Sequence, residues 1–203
     1  MQEILNAWDS VAGCIAAGQH KEFLGRAKER LVFRSMREFL SIAAPGVRVD
    51  LEVPYKNWNI DLVGCRHGEC VAVEGKFKLQ TDGAVPDNRK AAFFDLYKLE
   101  QYVGSSSYSS GLFVWLTNKV EYTQRATGDS KDFSTHNGRI YLPGTSLNAK
   151  RCRDKMPLPL VLTRRYDFTW KQIANSCWYT LFLVVRPTSP SEFNAASTSL
   201  VQE

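Results

Sequence analysis

From Ile4 to Ile15 the apolar residues Ile4, Leu5, Trp8, Val11 and Ile15 fall at the spacing of one helix face, which predicts a helical or partly ordered lead-in over residues 1–19. The pattern is stronger over 21–42. There Phe23, Leu24, Ala27, Leu31, Phe33, Met36, Phe39 and Leu40 recur at near-helical intervals with Arg and Glu between them, and Pro45-Gly46 closes the helix. The period then drops to two. Val47, Val49, Leu51 and Val53 alternate with polar positions, as in a half-buried strand. Trp58–Cys65 and Cys70–Lys78 predict two more strands, joined as a hairpin through Arg66-His67-Gly68-Glu69.

Residues 79–90 read as a loop, Ala91–Val103 as a helix, and Gly111–Thr117 as a strand buried on both faces. Residues 118–157 hold many turn formers and predict an insertion with one hairpin around Arg139–Leu142. Leu158–Thr163 and Cys177–Val185 read as further strands, with a short helix near Trp170–Ala174 between them. After Pro187 the chain turns to Ser, Thr, Pro, Asn and Ala, a loose tail. The expected organisation is a single α/β domain over 1–186, with a core over about 22–117, the insertion over 118–157, C-terminal strands over 158–186 and the tail over 187–203.

Composition adds little to the fold but narrows the partners. The 203 residues are 44% hydrophobic and 23% charged, the balance of a globular chain. The net charge of +5 suits a polyanion. Its excess is concentrated between Asn148 and Lys171, where Lys150, Arg151, Arg153, Lys155, Arg164, Arg165 and Lys171 face only Asp154 and Asp167. That run reads either as a solvated face or as one that contacts phosphates. No apolar stretch reaches the roughly 20 residues of a membrane span, and the start of the chain lacks the pattern of a signal peptide. Five cysteines, odd in number and irregular in spacing, argue against a disulfide framework and for a reducing cytoplasm.

The candidate chemistry lies on the two hairpin strands. Asp61 sits on one, and Glu74, Lys76 and Lys78 project from one face of the next, while Val73, Gly75 and Phe77 face the other way. Two carboxylates and a lysine on adjacent strands suit a divalent cation and a water beside a phosphate. Other sets carry less. Cys65, His67 and Cys70 lack the second ligand pair that a structural zinc needs and read as thiols opposed across the turn. His136-Asn137-Gly138 reads as a turn. Trp170, Trp178, Tyr179 and Phe182 read as core, and no glycine-rich phosphate loop is present.

The order helix, three strands, helix, strand, with Asp61 before the turn and Glu74-Gly75-Lys76 after it, resembles the PD-(D/E)xK nuclease superfamily. Glu29 on the preceding helix, Glu52-Val53-Pro54, and the helix Asp95-Leu96-Tyr97-Lys98-Leu99-Glu100-Gln101-Tyr102 extend the likeness. Ile60, where the family name has proline, departs from it. The resemblance implies a mixed central sheet flanked by helices, a restriction-endonuclease-like αβββαβ core with added C-terminal strands. It also implies Mg²⁺- or Mn²⁺-dependent hydrolysis of phosphodiesters, most readily in DNA. Asp61, Glu74 and the Gly75 carbonyl would hold the metal, Lys76 would assist catalysis, and Glu29 would support the metal from its helix. Lys78, Lys98, Arg151, Arg153, Arg164 and Arg165 are the expected contacts to nucleic acid. The competing class is a non-catalytic module of the same fold that binds nucleic acid or protein. A homodimer, or a place in a larger complex, fits either class.

Overall fold

The computed structural model describes residues 1–18, 28–149 and 156–187. Helix α1 (Gln2–Ala16) buries Ile4, Ala7, Trp8, Val11, Ala12 and Ile15, the stripe its periodicity predicts. Helix α2 (Lys28–Ala43) does the same with Val32, Phe33, Met36 and Leu40 and stops just short of Pro45. Three strands follow: β1 (Arg48–Tyr55), β2 (Trp58–Arg66) and β3 (Glu69–Lys78). They form two successive antiparallel pairs. The tight turn between β2 and β3 places His67 and Gly68 at φ of 52° and 84°, which suits a two-residue hairpin turn.

Helix α3 (Val85–Gly104) crosses over to β4 (Ser110–Thr117), which lies parallel to β3. The loop expected over 79–90 is therefore too long. Pro86 lies in the first helical turn, where a missing N–H costs nothing and the fixed φ favours the helix.

Beyond two short 3₁₀ turns come β5 (Arg139–Tyr141), β6 (Ser146–Leu147), β7 (Leu160–Val161), β8 (Tyr166–Phe168), β9 (Lys171–Gln172) and β10 (Tyr179–Val185). Strand β10 runs antiparallel to β4 and completes a mixed sheet of order β1-β2-β3-β4-β10-β9. Here sequence periodicity fails in three places. Arg139–Leu142 forms no hairpin of its own, because β5 pairs with β8. The strand expected at Leu158–Thr163 shrinks to the two residues of β7, paired with β6. The helix expected near Trp170–Ala174 is instead β9 and a turn into β10, with Asn175 at φ 55° and Ile173 N–H donating to the Trp178 carbonyl.

The sheet separates two cores. Leu62, Val71, Val73, Phe77, Leu112, Val114 and Leu116 pack against α1 and α2. Val63, Ala72, Phe113, Trp115, Leu181 and Leu183 pack against α3 and the segment after β4. Strand β4 is thus apolar on both sides, as its unbroken run predicts. Trp170 lies against Trp115 and Trp178 stacks on Phe77, so both are core residues, whereas Phe182 is 48% exposed.

Cys65 and Cys70 face each other across β2 and β3 and form a disulfide rather than a pair of thiols. Their register brings the two sulfurs together, which counting cysteines could not foresee. Cys14 and Cys177 are free. Among the described residues no helix is long and apolar enough to cross a membrane. The tail from residue 188 lies outside the described residues.

Candidate functional site

Asp61 stands where two ladders break. In β1, Val49 and Leu51 lean on the α1–α2 core, but Val53 and Tyr55 lean on the α3 core. The reversal falls at Glu52, which has φ 53° and is skipped in the register with β2. In β2 the change falls opposite, between Leu62 and Ile60. Pairing of β2 with β3 also ends at Leu62–Val73, although β3 stays paired to β4 as far as Lys78.

This divergence leaves backbone donors on β3 without a strand partner, and carboxylates take them. Asp61 Oδ2 accepts the Gly75 N–H at 3.0 Å. Two residues on, Glu29 Oε1 accepts the Phe77 N–H at 3.2 Å. The N–H and C=O of one strand residue point the same way, so the Gly75 carbonyl also faces the gap beside Asp61. Gly75 has a packing reason as well. A Cβ there would lie 2.8 Å from Phe33 Cζ and 2.8 Å from Val114 Cγ2.

From the other side of β3, Glu74 and Lys76 meet a stripe of α3. Asp95, Lys98 and Tyr102 follow at i, i+3 and i+7 and share one helix face. Lys98 Nζ lies 2.8 Å from Glu74 Oε2 and 2.9 Å from Asp95 Oδ1. Lys76 pairs with the other oxygen of Asp95. The Tyr102 hydroxyl donates to Glu74 Oε1 at 3.1 Å. Glu74 is only 1% exposed and Asp95 4%.

Burial and charge pull these groups apart. Burial pushes the Asp61 carboxyl up to about 6, the Asp95 charge adds to this, and Lys76 and Lys98 oppose it. Burial, with Asp95 and Asp61, likewise holds Glu74 well above the usual carboxylate range. Asp95 lies below that range, because Lys76 and Lys98 outweigh its burial. Burial disfavours both ammonium groups, yet the surrounding carboxylates raise them, Asp95 foremost. Burial and the Glu74 charge raise Tyr102, so it remains a donor.

The fold therefore brings Asp61, Glu74, Lys76 and Lys98 together. Lys98, expected on a neighbouring phosphate, is enclosed between Glu74 and Asp95. Glu29 bonds elsewhere, although its charge, after that of Asp95, helps to raise Lys76. It caps Phe77 and pairs with Lys78 at 2.7 Å, so Lys78, expected on nucleic acid, is held by Glu29. Arg164 and Arg165 lie elsewhere. The Arg164 N–H donates to Glu100, which leaves α3 about 200° around from Lys98, and exposed Arg165 pairs with Asp167 at 3.1 Å. Arg151 and Arg153 lie outside the described residues. Sequence reasoning assigned no role to Asp95 or Tyr102, although the Asp-x₂-Lys-x₃-Tyr spacing puts all three on one face.

Asp61, Glu74 and the Gly75 carbonyl are hard oxygen donors of the kind that suits Mg²⁺ or Mn²⁺. Against this, Lys98 and Tyr102 already occupy both oxygens of Glu74. Among the described residues no group of three or more His, Cys, Asp or Glu is arranged to hold a metal ion as it stands. No protein-family model matches the chain, and comparison with curated proteins and with solved structures finds no match either.

Proposed function

We propose that the protein is a metal-dependent nuclease of restriction-endonuclease-like core that hydrolyses phosphodiester bonds, with DNA as the preferred substrate. One observation carries the reading: Asp61, Glu74 and Lys76 converge where β2 leaves β3, on the side of the sheet that α3 closes. Asp61 is half-buried at this strand opening and is the member of the group that a phosphate would meet first, with Glu74 buried beneath it.

Asp61 and Glu74, with the Gly75 carbonyl, would hold Mg²⁺ or Mn²⁺. A bound cation of this kind supplies charge for the phosphate oxygens and a more acidic water. Asp61 titrates near 6 and is therefore ionised at neutral pH. Lys76, fixed by Asp95, offers an ammonium to the charge that develops on phosphorus. Tyr102 holds the Glu74 carboxylate in one orientation. A cytoplasmic setting belongs to the same proposal, although the Cys65–Cys70 disulfide removes part of the thiol argument from which it started.

The test is cleavage of single- and double-stranded DNA and of RNA in Mg²⁺ or Mn²⁺. Asp61→Ala and Glu74→Ala should each reduce cleavage to background while circular dichroism stays that of the parent. Unchanged cleavage in both variants would sink the nuclease reading.

A second reading has an observation of its own. Glu74 is fully engaged by Lys98 and Tyr102, as a retired site would be if the cluster now served only to hold α3 on the sheet. The chain would then be a non-catalytic binding module. It would show salt-sensitive nucleic-acid binding, or protein binding, without metal-dependent turnover.

A further inference from the structure

The cluster at the strand divergence carries its own cations. The Lys98 side chain is 11% exposed and bridges Glu74 and Asp95. Among the described residues no lysine or arginine forms an ion pair with Asp61, whose Oδ2 is held only by the Gly75 N–H. A divalent cation shared by Asp61 and Glu74 would therefore find Asp61 accessible and Glu74 already neutralised.

We propose that Lys98 is a resident counter-ion of Glu74, displaced by an incoming divalent cation and then kept beside the site by Asp95. The proposal rests on reading Asp61 and Glu74 as cation ligands. Asp95 is built for the second part. Its two oxygens hold Lys76 and Lys98 separately, so Lys98 keeps one partner when it loses the other. Formal charge runs the same way. Three carboxylates against two ammonium groups leave one negative charge, and a divalent cation converts this to one positive charge. One phosphodiester cancels that charge. A buried site tolerates little uncompensated charge, so the lysines keep the metal-free cluster near neutral and the loaded cluster favours a phosphate. Lys98, freed from Glu74, is the ammonium available to it.

Two measurements test this without reading turnover. In calorimetric titrations with Mn²⁺ alone, Lys98→Gln should bind about tenfold more tightly than the parent or better, since the competing charge is gone. Adding Asp61→Ala to Lys98→Gln should abolish that binding. In the parent protein, saturating Mg²⁺ should shift the Lys98 side-chain ammonium resonance far more than that of Lys76. Equal or weaker Mn²⁺ binding by Lys98→Gln, or an unmoved Lys98 resonance in a parent that binds Mg²⁺, overturns the counter-ion and leaves the cation site standing. No cation binding by either protein overturns both. The resonance measurement needs no variant, so it decides the matter even if Lys98→Gln does not fold.

Discussion

Glu74 and Glu100 are both buried glutamates packed at α3, and they do opposite kinds of work. Glu100 accepts the N–H groups of Thr163 and Arg164, at 3.0 and 3.1 Å, and the Tyr166 hydroxyl at 2.8 Å. These partners are two backbone N–H groups and a phenol, and the Arg164 charge also acts on the carboxylate. It staples the segment after β7 to α3, much as a cap satisfies a helix end. Glu74 has an ammonium and a phenol for partners and two further carboxylates within electrostatic reach. Burial raises the pKa of both groups, so a displaced pKa does not mark the site. The neighbours do. Glu100 completes a hydrogen-bond set, whereas Glu74 belongs to a charge cluster whose members can exchange partners.

The largest contrast should come from truncating each glutamate. Glu100→Ala strands two backbone donors and a hydroxyl and should cost about 3 kcal/mol in urea unfolding, with Mn²⁺ affinity unchanged. Glu74→Ala should remove Mn²⁺ binding altogether. If the two variants instead lose cation binding alike, the cluster owes its affinity to general packing and the contrast collapses. Next in size, Gly75→Ala should destabilise by about 1–3 kcal/mol, because its methyl meets Phe33 of α2 and Val114 of β4 in the core on that face of the sheet. A variant as stable as the parent would show that α2 can draw back from β3.

The smallest effect is in pH. Asp61 has its folded pKa raised from 3.8 to about 6, so between these values the folded protein holds a proton that the unfolded chain has released. Stability should therefore fall as pH rises from about 4 to about 6, and Glu74 pulls the same way. Asp95, depressed below 3.8, contributes stability that is lost only at lower pH. Cation affinity should move oppositely, weakening as pH drops below about 6 and Asp61 takes up its proton. Urea unfolding and Mn²⁺ titration across that range, repeated on Asp61→Asn, check both signs. Stability that rises over this window in the parent would mean that Asp61 is ionised throughout it.

Much of the framework was legible in the chain. The helical stripes of α1 and α2, the alternation in β1, the β2–β3 turn and the doubly buried β4 all follow from local periodicity, which side-chain burial enforces within each element. The strand expected at Cys177–Val185 is β10, but between residue 118 and β10 the chain was not legible. There the strands are two or three residues long and pair across gaps too wide for a local pattern, as β5 does with β8 and β6 with β7. The same divide runs through the site. Asp61, Glu74 and Lys76 could be singled out because two strands and a turn fix their relation. Asp95 and Tyr102 could not, since their place depends on how α3 is rotated over the sheet.

Apart from the reversal at Glu52 in β1, what the sequence determined alone was which residues share a strand or helix face, for that is a matter of backbone repeat. What only the tertiary structure decided was which charges meet. Lys98 sits on Glu74 rather than in solvent, Glu29 on Phe77 and Lys78 rather than beside Asp61, and Cys65 on Cys70. Ion pairs and disulfides form between groups brought within a few ångströms by the packing of separate elements, and no one-dimensional spacing encodes that distance.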